Sequence, residues 1–165
     1  MKKAQINEAV VFWKWIDDKS IAIVTPTKVL HWTLEAGEPV TMFKRSAEKE
    51  DSHWTGGVQV INYRQSADKQ WLILGGVAKG KGDSKIAGVL QVHSVKMNAS
   101  QPTMPSHAAC FATTTLDGRS APSNLICFTL AGPHLQIMEL DPPKGQGITP
   151  FKKKIRLQFK QPGDF

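Results

Sequence analysis

The chain has 165 residues, 41% of them hydrophobic, and its 21 lysines and arginines against 14 aspartates and glutamates give a net charge of +7. This composition predicts one soluble globular domain, and neither a disulfide scaffold nor a disordered tail is needed to explain it. No apolar run reaches the roughly 20 residues of a membrane-spanning helix, and no signal-type apolar core follows the first residues. We therefore expect a cytoplasmic protein.

Neither of the two cysteines, Cys110 and Cys127, belongs to a CxxC pair or has metal-ligand spacing with one of the five histidines. We expect a reducing compartment, no metal site and no cofactor. No nucleophile elbow is present, and neither cysteine has a sequence context that would pair it with His107 or His134 for catalysis. The sequence therefore predicts that the chain is not an enzyme.

Short stretches rich in β-branched and aromatic residues, separated by turn-forming residues, predict an all-β fold. In chain order, the predicted strands are residues 10–16, 21–24, 29–34, 40–43, 58–63, 70–74, 88–95, 108–112, 125–130, 134–140 and 155–159, with a weak edge at 101–104. Helical periodicity is almost absent.

Equivalent strands recur roughly 45 to 50 residues apart, which is the spacing of four-stranded propeller blades. We predict a partial β-propeller of about three four-stranded antiparallel blades in a WD40-like arrangement, an incomplete ring. The blade-like units are residues 8–45, 56–104 and 106–142, followed by a basic strand and tail at 150–165. Three blades would leave two apolar faces open, and such faces aggregate or need a partner.

Residues 75–81 have the pattern GxxxxGK of a phosphate-binding loop after an apolar strand. The next residue is Gly82, where such loops have serine or threonine, and no amphipathic helix follows. We predict a solvated loop between strands at this position.

The tryptophans are predicted to serve packing more than binding. We place Trp13, Trp15 and Trp32 in the core. For Trp71 the sequence leaves two alternatives open, a core position between blades and exposure in a groove, since large aromatic side chains are common in both.

Six basic residues and no acidic one lie between Lys144 and Lys160. Such a run could attract acidic protein segments, anionic lipid or RNA. We favour a solvated strand edge protected by lysines, because only Phe151 and Phe159 interleave with the basic residues.

Several segments together resemble, in order and spacing, the N-terminal propeller of the clathrin heavy chain. They are residues 12–16 (FWKWI), 31–32 (HW), 40–43 (VTMF), 61–64 (INYR), 69–74 (KQWLIL), 90–95 (LQVHSV), 100–102 (SQP), 107–112 (HAACFA), 135–140 (LQIMEL), 150–154 (PFKKK) and 164–165 (DF). The resemblance covers nearly the whole chain.

The resemblance implies part of a seven-bladed propeller, about the second to fifth blades, that binds short linear motifs of endocytic adaptors in grooves between blades. It implies a non-catalytic role in vesicle-mediated intracellular protein transport, in the cytoplasm at coated pits and coated vesicles. Other clathrin chains are a further candidate partner. No specific nucleic acid is expected, and the membrane would be reached only through adaptors.

The resemblance also implies two binding sites. The groove between the fourth and fifth blades of the family corresponds here to Trp71, Val92, Met97, Gln101, Thr103, Met138 and Lys153. Met97 stands where an arginine is common in animal members. A second site, at the centre of the propeller, corresponds to Gln59 and Ile61.

Two alternatives to this function are open from the sequence. The chain could be a truncated or duplicated gene fragment with little independent function. It could instead be a basic surface that binds nucleic acid or anionic membrane through residues 152–160.

Overall fold

The computed structural model describes residues 4–83, 85–118, 120–129 and 134–140, and the backbone of residues 154–158. Within these residues the chain forms three antiparallel four-stranded sheets and no helix, so no helix that could cross a membrane occurs in this part of the chain. The prediction of an all-β fold is confirmed.

Each sheet contains four strands that follow one another in the sequence. The strands of the first sheet are β1 (Phe12–Asp17), β2 (Ser20–Val24), β3 (Lys28–Thr33) and β4 (Val40–Lys44). Those of the second sheet are β5 (Trp54–Gln65), β6 (Trp71–Gly80), β7 (Ile86–Ser94) and β8 (Ala99–Ser100). Those of the third sheet are β9 (Ala109–Thr114), β10 (Ser123–Thr129), β11 (His134–Glu139) and β12 (Lys154–Gln158).

The first strands of successive sheets lie next to one another, since β5 contacts both β1 and β9. The sheets therefore meet along their inner strands, and their fourth strands lie at the outer edges. This arrangement is consistent with a partial propeller. The basic strand predicted outside the third unit pairs with β11, with Ile155 opposite Ile137, and completes the third sheet.

The weak strand predicted at residues 101–104 is not a continuous strand in the structure. Two separate short segments pair with the outer side of β7 instead. Strand β8 consists of Ala99 and Ser100, and Met104 then forms an isolated bridge in which its amide donates to Leu90 O at 2.8 Å. Pro102 lies between the two segments and has no amide hydrogen. A continuous strand is therefore replaced by two short pairings.

The glycine-rich segment 75–81 is mostly strand, and the prediction of a solvated loop is wrong. Strand β6 continues to Gly80 and pairs with β5 on one side and β7 on the other. A Cβ on Gly76 would collide with the side chain of Val58 and lie 2.7 Å from Gln59 O. Glycine is required here because β5, whose register shifts on either side of this point, leaves no room for a Cβ, a feature that a local turn signal cannot distinguish from a loop.

One apolar cluster joins the first and second sheets. Its buried members are Ala22, Val24, Val29 and Phe43 from the first sheet and Val60, Tyr63, Leu72 and Leu74 from the second. A hydrogen bond and a ring stack cross the same junction. His31 Nε2 lies 2.7 Å from Tyr63 OH, and the rings of Phe43 and His93 are stacked with their centroids 4.7 Å apart.

A second apolar cluster joins the second and third sheets. Its buried members are Trp71, Ile73, Leu90 and Val92 from the second sheet and Ile126, Phe128, Met138 and Leu140 from the third sheet and its end. Alternate residues of β6 thus point to opposite neighbours. The second sheet is covered on both faces.

Hydrogen bonds fix residues 44–46, at the end of β4 and just after it, to both neighbouring sheets. The Arg45 guanidinium donates to Thr25 O at 2.9 Å and to Val58 O at 3.0 Å. The Gln91 amide donates to Lys44 O at 2.9 Å and accepts from the Ser46 amide at 2.9 Å. These bonds satisfy buried polar groups between the two sheets, which would otherwise be costly to desolvate.

Replacing Gly88 with alanine should destabilise the protein by about 1 to 3 kcal/mol, because the new Cβ would collide with the backbone of Ser106. Backbone atoms cannot rotate away as a flexible side chain can. The measurement is urea unfolding of Gly88→Ala. The control is Gly57→Ala, at an exposed glycine where the added methyl would have no other atom within 4 Å, which should stay within about 0.5 kcal/mol of wild type.

Stability should fall as the pH decreases from about 6.5 towards 4, because burial lowers the pKa of His31 to about 4. The folded state favours the neutral imidazole, so its contribution is complete above the unfolded pKa of about 6.5 and is lost at lower pH. Denaturant unfolding at several pH values measures this. His31→Gln, which keeps a polar partner for Tyr63, should lose less stability across that interval, and an identical loss would contradict the assignment to His31.

Candidate functional site

Trp71 begins β6 and lies in the cluster between the second and third sheets, with 3% of its surface exposed. Its amide donates to Ser66 Oγ at 3.0 Å, and its carbonyl accepts from the Ser66 amide at 2.9 Å. These two bonds close the turn between β5 and β6. Of the two positions that the sequence left open, the structure has the buried one.

The structure brings two other predicted groove residues to the same cluster. Val92 and Met138 are both fully buried there, and with Trp71 they form an apolar floor between the sheets. Two more predicted residues lie beside this floor. The Gln101 amide donates to Val92 O at 2.8 Å, and the amide of Met97, whose residue is 43% exposed, donates to Ser94 Oγ at 3.3 Å.

The structure does not bring Thr103 to this floor. Its hydroxyl accepts a hydrogen bond of 3.4 Å from Trp54 Nε1, and it lines a small recess with Arg45 and Gln91 on the side of the second sheet that faces the first. The grouping of Thr103 with Trp71 stays a prediction, and in this structure the Thr103 hydroxyl contacts Trp54 and not the apolar floor. Lys153 lies outside the described residues.

Gln59 and Ile61, the predicted central site, are exposed on β5. Ile61, with 45% exposed, is the extra residue of a bulge, since Val60 is opposite Gly76 and Asn62 is opposite Gly75. A bulge re-aims the side chain of its extra residue. Because β5 is an inner strand, the structure presents both side chains near the inner edge of the assembled sheets.

Comparison with known proteins identifies the relatives of this fold. No protein-family model matches the chain. A probable clathrin heavy chain 1 of Caenorhabditis elegans is 41% identical over 158 residues, which cover 93% of this chain. The clathrin heavy chain of Drosophila melanogaster is also 41% identical with 93% covered, and clathrin heavy chain 2 of rice (Oryza sativa subsp. japonica) is 39% identical with 100% covered.

The chain is homologous to part of the clathrin heavy chain. It spans 9% of the length of the nematode and fly proteins and 10% of the rice protein. The resemblance drawn from the sequence segments is thereby confirmed, and the three sheets are consistent with part of the N-terminal domain of a clathrin heavy chain.

Two tryptophans of this clathrin heavy-chain homologue lie on the surface, and their predicted core positions are wrong. Trp13 is 60% exposed and Trp15 is 46% exposed, whereas Trp32 is half-buried. Trp13 is paired with Ile23 and Trp15 with Ile21, on the face of the first sheet that points away from the second. No sheet among the described residues covers that face.

Sequence reasoning missed a cleft of about 360 Å³ beside β1 and the turn between β5 and β6. Its charged lining includes Lys14, Arg64, Lys69 and Asp17, with Lys69 Nζ 3.0 Å from Asp17 Oδ2. That hydrogen bond and one from the Lys19 amide lower the pKa of Asp17 to about 2. The lining comes from distant parts of the chain, so no local pattern signals it.

Within the described residues no cluster of three or more histidine, cysteine or acidic side chains could hold a metal ion. The two cysteines are directly opposite each other on β9 and β10, and both are free thiols. Burial, and then the neighbouring Cys110, raise the pKa of the Cys127 thiol.

Replacing Trp71 with alanine should destabilise the protein by about 3 to 5 kcal/mol, because it removes a large side chain from the junction of two sheets. Trp71→Phe should cost less, since it fills more of the space. Urea unfolding measures both. Met97→Ala, at an exposed neighbour of the same junction, is the control and should have an effect below about 1 kcal/mol. A mild effect of Trp71→Ala would contradict a packing role.

Proposed function

We propose that the chain is a protein-interaction module of a clathrin coat that acts in vesicle-mediated intracellular protein transport. The observation that carries the proposal is its homology to clathrin heavy chains over 93% to 100% of its residues. The proposed location is the cytoplasmic face of coated pits and coated vesicles. The proposed partners are linear motifs of endocytic adaptors and other clathrin chains, and the role is non-catalytic.

The proposed motif site is the rim of the junction between the second and third sheets. A linear motif gains affinity by inserting a few aliphatic or aromatic anchors into an apolar slot, while polar groups at the rim fix its direction. Trp71, Val92 and Met138 supply the apolar floor. Met97 and Gln101 lie beside it and are the accessible side chains.

The burial of Trp71, Val92 and Met138 should lower the affinity of this site for a peptide. An anchor can reach Trp71 or Val92 only if the side chains at the rim move aside, so part of the binding free energy is spent on that rearrangement. We therefore propose a weak interaction that becomes effective through several motifs on one adaptor. Gln59 and Ile61, exposed on the bulged strand β5, are the proposed second contact site.

A peptide-binding experiment tests the groove. Peptides with the linear motifs of endocytic adaptors are titrated against wild type, Gln101→Ala and Met97→Arg, with Gln5→Ala as the control at an exposed glutamine before the first sheet. Gln101→Ala should weaken binding about fivefold to tenfold, as expected for the loss of one hydrogen bond. Met97→Arg should strengthen binding of motifs flanked by acidic residues, because it adds a cation to the rim.

The result that would overturn the groove proposal is equal binding by wild type, Gln101→Ala and Met97→Arg, or no binding by any of them. Trp71→Ala is not used as the primary test because it removes core packing. Unfolding curves of each variant, recorded alongside, separate a loss of binding from a loss of fold.

A further inference from the structure

Cys110 and Cys127 face each other across the third sheet. They are register partners in the antiparallel pairing of β9 with β10. Directly opposite residues in such a pair have Cα atoms about 4.5 to 5.5 Å apart, within the range of about 4.4 to 6.8 Å that a disulfide bridges. Their side chains also point to the same face of the sheet, as a disulfide between paired strands requires.

Among the residues that the structure describes, none packs over Cys110 on this face of the sheet, and Cys110 is exposed there. Ile126 and Phe128, the neighbours of Cys127 on β10, point to the opposite face and pack against the second sheet. Cys110 is exposed and Cys127 is half-buried. A small reagent can therefore reach the Cys110 sulfur from solvent, whereas Cys127 is more protected.

We propose that Cys110 and Cys127 form a thiol–disulfide exchange site that is oxidised to an intramolecular disulfide by a low-molecular-weight disulfide such as glutathione disulfide. This site is separate from the groove of the proposed function. In a reducing compartment the pair remains as two thiols. The two thiols are oxidised to a disulfide when the ratio of low-molecular-weight disulfide to low-molecular-weight thiol rises.

The chemistry consists of two exchange steps. The Cys110 thiolate, having lost its proton to solvent, attacks one sulfur of glutathione disulfide, whose S–S bond breaks and releases one glutathione thiolate. The Cys127 thiolate then attacks the Cys110 sulfur of the mixed disulfide and releases the second glutathione thiolate. Two protein thiols are oxidised, and one glutathione disulfide is reduced to two thiols.

The two cysteines differ in accessibility, and they therefore have different roles in the exchange reaction. Cys110 is the attacking thiol because it is exposed and reacts with the external disulfide. Cys127 is the resolving thiol because it is less accessible and directly opposite. A mixed disulfide on Cys110 therefore has a second thiol directly opposite it. Attack by Cys127 on this mixed disulfide should be faster than attack by a further glutathione molecule, because the first reaction is intramolecular.

The bond would join β9, the inner strand of the third sheet, to β10. It would close a loop that contains the connection between these strands, residues 115–122, and should thereby restrict the unfolded chain. The oxidised protein should accordingly melt at a higher temperature than the reduced protein. The packed face formed by Ile126 and Phe128 is on the other side and should not be disturbed.

The test uses the full chain, fully reduced, incubated with excess glutathione disulfide at pH 8 without oxygen. Intact mass should show the loss of two hydrogens with no retained glutathione, and a thiol titration should fall from two to zero. Digestion without reductant should yield one linked pair of peptides that contain Cys110 and Cys127. Cys127→Ser should accumulate one stable glutathione adduct, and Cys110→Ser should react at least tenfold more slowly.

Three outcomes would overturn the proposal. They are a stable adduct on the wild-type protein with no internal bond, equal reactivity of the two serine variants, and disulfide-linked dimers whose yield rises with protein concentration. Circular dichroism of both serine variants establishes that they fold, which is expected because neither cysteine lies in a core cluster. The adaptor-peptide titration does not involve this pair, so either proposal can fail without the other.

Discussion

The second sheet packs against a neighbouring sheet on each of its two faces. Strand β6 begins with four consecutive buried apolar residues, Trp71 to Leu74, which alternate between the two sides. Leu72 and Leu74 contact the first sheet, and Trp71 and Ile73 contact the third. A continuous apolar run is typical of a strand buried on both faces. One strand therefore holds both neighbouring sheets in place.

The same packing shapes the candidate binding site. The side chains that would receive a peptide anchor, Trp71, Val92 and Met138, are also the ones that join the second sheet to the third. The proposed binding at this junction would therefore depend on the same atoms as the stability of the junction. The first sheet differs, because one of its faces packs on the second sheet while Trp13 and Trp15 remain exposed on the other.

The strands themselves were largely predictable, since β-branched and aromatic runs bounded by turn residues mark them locally. Their ends were less predictable. The glycines that continue β6 to Gly80 appeared as a turn, because the local signal of glycine is the same whether it supplies a left-handed conformation or makes room for a neighbouring strand. The neighbours of Thr103 were not predictable either, because it follows the last strand of the second sheet and its hydroxyl contacts Trp54, whereas Trp71 packs against the third sheet.

The all-β class and the repeat of four strands could be derived from the amino-acid sequence, because composition and the spacing of strands lie along the chain, and matching segments carried the resemblance to the clathrin heavy chain. The burial of each tryptophan, the cleft shared by Lys14 and Arg64, and the pairing of Cys110 with Cys127 became visible in the folded chain. Burial and contact depend on which sheet face meets a neighbour. That pairing brings together residues far apart in the chain, and no local pattern contains it.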